Sequence, residues 1–473
     1  MFFEHVFEKG LAQSSYIVGC QASGDAVVID PRRDIDVYLA IAEREGLRIT
    51  YVTETHIHAD FLSGARELAA ATGAEILLSA EGGPDWTYEF PHRPLRDDDV
   101  FWVGKLKFQV LHTPGHTPEH ISFLLTDTAA GSHPVMLFTG DFVFVGDVGR
   151  PDLLEEAAGI AHTKEPGARQ MYRSLQRFRA LPDFVQVWPG HGAGSACGKA
   201  LGAVPSSTVG YEKLTNWALQ VEDEDAFVAE LLTGQPEPPR YFGVMKKLNR
   251  VGPAVLGGIP HPARLTLSRF RSLLADGVTL VDTRDKFAFA GGHIPGSLNI
   301  QADEAFSTWA GWMLDYERPF MLVAADQKID ELSRALIRIG LDQAIGYIPD
   351  VTLWAAMGNE LQALPQITAD ELYERWLSGR VTILDVRTRN EYEEVHIPGA
   401  MQIHAGHLVE RLQHIPTDKP LVVHCLGGDR SSLAASLLQS QGFDNVLNLT
   451  GGIRCWLEAG YPVERNTMEE AVA

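Results

Sequence analysis

Thr55-His56-Ile57-His58-Ala59-Asp60-Phe61 puts two imidazoles and a carboxylate in one short loop. The loop follows an apolar stretch, Ile49 to Val52, and ends at Ser63-Gly64, where a helix can begin with Ala65 to Ala71. Nitrogen and oxygen donors at that density suit a divalent metal of borderline character. Three later segments offer matching residues: Thr113-Pro-Gly-His116-Thr, Phe138-Thr-Gly-Asp141 and Pro189-Gly-His191-Gly. Each follows an apolar run (Phe108 to Leu111, Val135 to Phe138, Val185 to Trp188) and carries glycine, so these residues are expected at strand ends converging on one sheet edge.

A second centre of another kind is written at Leu421-Val-Val-His-Cys425-Leu426-Gly427-Gly428-Asp429-Arg430. A thiol at a strand end, a glycine-rich loop and a helix start would surround the sulfur with backbone N–H donors. Such a cradle lowers the thiol pKa and stabilises a persulfide. Arg430 can close the loop or hold an incoming thiosulfate or sulfite. Cys197 lies in Gly-Ala-Gly-Ser-Ala-Cys-Gly-Lys, six residues past His191. It is either a small buried residue or a thiol at the metal mouth that relays sulfane sulfur, with Lys199 favouring thiolate. Arg150 closely follows the Asp141 strand and offers either a cationic fork to an anionic substrate or a structural salt bridge. His112 and His120 are expected to be local hydrogen-bonding groups, His5, His92, His133 and His162 surface residues, Cys20 structural and Cys455 core.

The elements that must hold these residues divide the chain. Strand and helix patterns alternate over the first ~240 residues, and proline- and glycine-rich text follows, so a boundary is expected near residues 245–262. Beyond it the chain repeats itself. Val278-Thr-Leu-Val-Asp-Thr-Arg284 and His293-Ile-Pro-Gly296 return without a gap as Val381-Thr-Ile-Leu-Asp-Val-Arg387 and His396-Ile-Pro-Gly399. Three domains are expected: residues 1–245, 263–362 and 366–473, the last two being small parallel-sheet α/β units. The first copy has Ala324 where the second has Cys425, and no arginine where Arg430 stands, so it carries no sulfur by this route.

Composition narrows the partners. The formal charge of −22 over 473 residues argues against nucleic acid and anionic membranes. No apolar run approaches the ~18 residues that span a bilayer, and the start lacks a signal-peptide pattern, so a cytoplasmic protein is expected. Four cysteines without Cys-x-x-Cys exclude a disulfide framework and a cysteine-rich zinc knuckle.

The order of motifs in residues 1–240 resembles the metallo-β-lactamase fold superfamily, which implies an αββα sandwich. There a His-x-His-x-Asp-His motif serves two metals. By that resemblance the first site takes His56, His58 and His116 with Asp141 bridging, and the second takes Asp60, the motif's last histidine, Asp141 and His191. Here that last histidine is Phe61, which cannot ligate. One metal held by two histidines and a carboxylate leaves positions open for dioxygen and substrate. The pattern is therefore similar to the persulfide dioxygenases, whose iron ligands correspond to His56, His116 and Asp141. His58, Asp60 and His191 then become supporting residues that orient ligands and water. The Gly-Ser-Ala-Cys-Gly-Lys string resembles the multidomain members of that group.

The Cys425 loop, with four residues before Arg430, resembles the active loop of rhodaneses, supported by the Asp-x-Arg and His-Ile-Pro-Gly strings. Together these resemblances imply one Fe(2+) per chain. They imply oxidation of a low-molecular-weight thiol persulfide by O2 to sulfite, sulfur transfer giving thiosulfate, and a homo-oligomer, dimer or tetramer. The alternatives are a zinc thioester hydrolase of the glyoxalase II kind with a rhodanese passenger, or a non-catalytic sulfur carrier or sensor.

Overall fold

A computed structural model describes residues 1–156, 159, 162–199 and 201–465. The chain forms two compact units. One holds Met1–Pro260 with Arg334–Gly340, and the other holds His261–Ser333 and the chain from Leu341 onward.

Two six-stranded sheets make the frame of the first unit. One runs in order Phe2–Glu8, Gln13–Cys20, Asp25–Ile29, Arg48–Thr53, Glu75–Ser79 and Arg93–Leu95, antiparallel at its start and parallel thereafter. The other runs Ser207–Thr208, Gln186–Pro189, Met136–Gly140, Ile121–Asp127, Leu106–His112 and Val100–Val103. Three apolar clusters account for four layers. Tyr16, Val27 and Ile29 meet Phe108, Phe123 and Phe138 between the sheets. Tyr38, Ile41 and Leu68, from the helices Asp36–Glu45 and Ala65–Thr72, cover the outer face of the first sheet. Met171, Leu175 and Phe178 of the helix Lys164–Arg179 cover the second, spaced so that one helical stripe is apolar. This is the αββα sandwich, and it brings the carboxyl ends of the strands Arg48–Thr53, Met136–Gly140 and Gln186–Pro189 to the donor residues.

The first unit runs past residue 245. Phe242–Val251 is a helix with Phe242, Met245 and Asn249 buried on one side, and the unit ends at Pro260. The proline- and glycine-rich text from Gly252 to Pro262 carries this end.

The second unit contains both copies of the repeat. Each is built on a wholly parallel sheet: Leu298–Asn299, Thr279–Asp282, Phe320–Val323 and Ala344–Ile348 in the first, and Gln366–Ile367, Val446–Leu449, Leu421–His424, Thr382–Asp385 and Met401–Gln402 in the second. The repeated strings are architectural. Arg284 grips Asp282 and donates to Gly292 O at 2.9 Å. Arg387 likewise grips Asp385 and donates to Val395 O at 2.7 Å. His293 stacks on Phe289 and His396 on Tyr392, with centroids 3.8 and 3.9 Å apart. The motif pins the segment after the strand that carries the aspartate in both copies, which is why it persists in the copy without a thiol.

Candidate metal centre and thiol loop

His56 and Asp60 lie in the loop after the strand Arg48–Thr53, His116 in the turn between Leu106–His112 and Ile121–Asp127, and Asp141 directly after Met136–Gly140. Donor atoms of His56, His116 and Asp141 fall within 4.8 Å of one another, and all three residues are buried. Asp141 Oδ2 stands 3.6 Å from His116 Nε2 and 3.9 Å from His56 Nε2. Its Oδ1 stands 3.4 Å from His191 Nε2. Neither Asp141 oxygen, neither Asp60 oxygen and not His191 Nε2 has a hydrogen bond of ordinary geometry, although all are buried. Five orphaned polar atoms in one pocket would each cost on the order of 1–3 kcal/mol. A bound cation removes that cost, so the residues fit a metal.

The hydrogen bonds behind the imidazoles suit ligation. His116 Nδ1 donates to Arg150 O at 2.8 Å and His191 Nδ1 to Ala12 O at 3.2 Å, which turns both Nε2 lone pairs toward the carboxylates. Burial, followed by the charge of His58, holds His56 neutral, well below its ordinary pKa. Burial also pushes Asp141 up to about 6; His191 opposes and Asp60 adds to the rise. Close backbone approach requires glycine here: a Cβ on Gly190 would come 2.5 Å from Asp141 Oδ1, and one on Gly149 would collide with Asp141 O.

His58 turns away. Its Nε2 pairs with Asp30 Oδ1 at 3.1 Å. Burial alone would lower its pKa, but Asp30, with Glu54 and Asp60, raises it to about 9. Asp30 also accepts from Thr55 N at 2.6 Å and Thr55 Oγ1 at 2.9 Å. It sits at φ 51°, which Asp tolerates better than most residues. Sequence reasoning missed it, although an acid ending a buried strand before Pro31 was a signal. Asn249 was also missed, and no local signal marks it. Its Nδ2 donates to His58 O at 2.9 Å and Phe61 O at 2.8 Å, and its Oδ1 accepts from Ser63 N at 2.9 Å. The same helix carries Lys246, whose ammonium lies 4.7 Å over the Trp86 ring and whose charge helps keep His116 neutral.

Phe61 is buried and packs on His58 with ring centroids 4.3 Å apart. Another donor stands beside the second set despite the lost motif histidine. Cys197 joins Asp60 and His191, with donor atoms within 4.8 Å. The thiol is buried, and burial with the Asp141 and Asp60 charges pushes its pKa well up. Lys199 does not favour thiolate, because its ammonium bonds Glu230 O and Oε1 at 2.7 and 3.1 Å. Arg150 is a strap rather than a substrate fork. It is 1% exposed, grips Asp152 at 2.8 and 2.5 Å, and donates to Ala196 O and Pro236 O. His120 bonds Thr113 Oγ1 and accepts from Asp141 N, and His112 bonds Pro118 O. Cys20 is buried, whereas Cys455, expected in the core, is half-buried.

In the second unit Cys425 follows the strand Leu421–His424 and precedes the helix Asp429–Ser440. Its Sγ accepts from Gly428 N at 3.1 Å and Ser431 Oγ at 3.5 Å. Among the described residues, Gly428 supplies the loop amide that reaches the sulfur; Leu426, Gly427 and Asp429 do not. Gly428 takes φ +101°, which its lack of a side chain permits. Arg430 closes the loop: both terminal nitrogens bond Glu391, at 2.6 and 2.7 Å. Glu391 lies in a capping box with Thr388, a pattern visible in the sequence whose second use was not.

The metallo-beta-lactamase superfamily pattern matches residues 9–191, and the rhodanese-like domain pattern matches twice, at residues 266–351 and 368–459. The crystal structure of a metallo-beta-lactamase from Staphylococcus aureus subsp. aureus COL is similar at a TM-score of 0.69 and 44% identity, covering 74% of this chain and 99% of that one. A hydroxyacylglutathione hydrolase of Rhodospirillum rubrum is 36% identical over 178 residues, 37% of this chain and 60% of that protein. Another from Rhodopseudomonas palustris is 30% identical over 236 residues, 50% of this chain and 80% of that protein. The chain thus spans about three fifths of the length of the Rhodospirillum hydrolase. No helix among the described residues is long and apolar enough to cross a membrane. The chain belongs to the metallo-beta-lactamase superfamily, with two rhodanese-like domains after the metal-type domain.

Proposed function

We propose that the chain oxidises a low-molecular-weight thiol persulfide with O2 and passes sulfane sulfur through Cys425, as a persulfide dioxygenase fused to a sulfurtransferase in sulfide detoxification. The observation that supports it best is the donor set of His56, His116 and Asp141. Two imidazoles and a carboxylate leave coordination positions free for two small reactants. One Fe(2+) per chain held there would supply dioxygen activation and a Lewis-acid seat for the persulfide sulfur.

The chain's own groups do the rest. The Arg150 carbonyl fixes the His116 tautomer, and Thr55 Oγ1 bonds His56 Nδ1 at 3.0 Å. Lys246 over Trp86 offers a positive charge to an anionic persulfide. Cys197, facing the carboxylates, is the thiol that can accept displaced sulfur. The overall oxidation balances as RSSH + O2 + H2O giving RSH, sulfite and two protons. At the second centre a Cys425 persulfide gives its outer sulfur to sulfite. The S–S bond breaks, its electron pair stays on Cys425 as thiolate, and thiosulfate leaves. His116→Ala or Asp141→Ala is expected to abolish oxygen uptake, assayed across persulfides of several small thiols, and unchanged uptake would refute the ligand assignment.

A second reading has its own observation. Asp60, His191 and Cys197 form a complete second donor set, and similar proteins are hydroxyacylglutathione hydrolases. A zinc thioester hydrolase would hold two zinc ions per chain, cleave thioesters and ignore oxygen.

A further inference from the structure

The first rhodanese-like domain has no thiol, yet it reaches the thiol loop of the second. Lys286, first residue of the helix Lys286–Gly291, donates from Nζ to Gly427 O at 2.9 Å and to Asp429 Oδ1 at 2.8 Å. Gln301 Nε2 donates to the same Asp429 oxygen at 3.2 Å. Behind them, Asn299 N donates to Ser436 Oγ at 2.9 Å and Ser432 Oγ donates to Asn299 Oδ1 at 2.7 Å. The lysine tip lies over Gly428, where a Cβ would stand 3.6 Å from Nζ. Gly428 is the residue whose N–H holds Cys425 Sγ. A cavity of about 40 Å³ opens here, walled by Asn299, Gln301 and Trp309 of one copy and by Asp429 and Arg430 of the other.

The charges explain what the lysine is for. Arg430 is committed to Glu391 through two bonds, so its charge is largely matched. Asp429 puts a carboxylate at the loop, where it would repel a dianionic sulfur compound. Lys286 is the cation that offsets it. The repeat makes the contrast plain: the position matching Lys286 in the second copy is Arg389, which pairs with Glu393 on the surface.

We propose that sulfur transfer at Cys425 uses a site shared by both copies, with Lys286 of the thiol-free copy as the positioning residue. It neutralises Asp429, holds the Gly427–Gly428 turn, and so admits small dianions such as thiosulfate and sulfite. This rests on the sulfurtransferase function proposed above. In the loading step Cys425 Sγ attacks the outer sulfur of thiosulfate, the S–S bond breaks, and sulfite departs with the electron pair. Every species in that step is anionic, so an unmatched Asp429 would oppose it throughout.

The test uses the full chain with thiosulfate as donor. Lys286→Gln keeps a hydrogen-bond donor but removes the charge; Lys286→Arg keeps both. The glutamine variant is expected to raise KM for thiosulfate roughly fivefold or more with kcat within about twofold. The arginine variant should restore KM, as should Asp429→Asn added to Lys286→Gln. The ratio of Cys425 alkylation rates by iodoacetate over neutral iodoacetamide, read on the Cys425 peptide, should fall about as much in Lys286→Gln. An unchanged KM and an unchanged ratio would overturn the inference and leave Lys286 as a clamp between copies. If the wild-type chain transfers no sulfur, the parent function fails, and the alkylation ratio still decides the role of Lys286.

Discussion

Replacing Asn249 with Ala probes a residue that touches no expected ligand yet holds the metal-type loop in place. Its side chain makes three buried hydrogen bonds, two donated to His58 O and Phe61 O and one accepted from Ser63 N. Asn249 is 1% exposed, so water cannot readily replace it. Three orphaned backbone groups at on the order of 1–2 kcal/mol each give a loss of about 3–6 kcal/mol. For a unit of this size, about 2–4 °C per kcal/mol puts the fall in Tm at roughly 6–24 °C. Because the freed segment carries His56, His58 and Asp60, metal affinity should drop by about 10- to 100-fold, as when outer partners of ligands are removed. Calorimetry and metal analysis of the same preparation measure both. Asn249→Asp keeps the acceptor for Ser63 but loses both donors, and should fall between wild type and Asn249→Ala in metal affinity. A Tm within about 1 °C of wild type with full metal content would refute the reasoning.

The remaining expectations can be checked together. Gly190→Ala should lower metal occupancy at least about tenfold, because its Cβ would press within 2.5 Å of Asp141 Oδ1; full occupancy would contradict this. Cys425→Ser should end sulfur transfer while leaving oxygen uptake intact, and equal loss of both would show that the two centres are not separate. Glu391 should confer stability that depends on pH. Burial raises its pKa, but the Arg430 and Thr388 bonds bring it down from the ordinary 4.5 to about 2. A lowered folded-state pKa stabilises above about pH 4.5 and loses that contribution as pH falls toward 2. The wild-type advantage over Glu391→Gln, roughly 2 kcal/mol after allowing for partial exposure, should hold from pH 7 to about 5 and vanish near pH 2. A gap that stays constant in acid would exclude the ion pair as its source.

The fold was legible where buried strands read as apolar runs and where the chain repeated itself. The Asp-x-Arg and His-Ile-Pro-Gly strings returned without a gap and fold to the same clamp twice. The donor residues were legible because glycine-bearing strand ends announce them. What surrounds them was not. Asn249 and Lys286 act across sequence separations of 188 and 143 residues, and nothing local distinguishes them from surface polar groups. Phe61 was legible as a lost histidine, but the approach of Cys197 to Asp60 and His191 depends on tertiary packing. Lys199 misled because adjacency in sequence suggested a cation beside the thiol; in the fold it turns toward Glu230.

The central claim is that one redox-active ion at His56, His116 and Asp141 oxidises a persulfide. Metal content and oxygen consumption measured on one sample of purified chain, supplied with small-thiol persulfides, test it most directly. The account predicts one iron per chain and oxygen uptake that yields sulfite. Two zinc ions per chain with thioester cleavage and no oxygen uptake would contradict it.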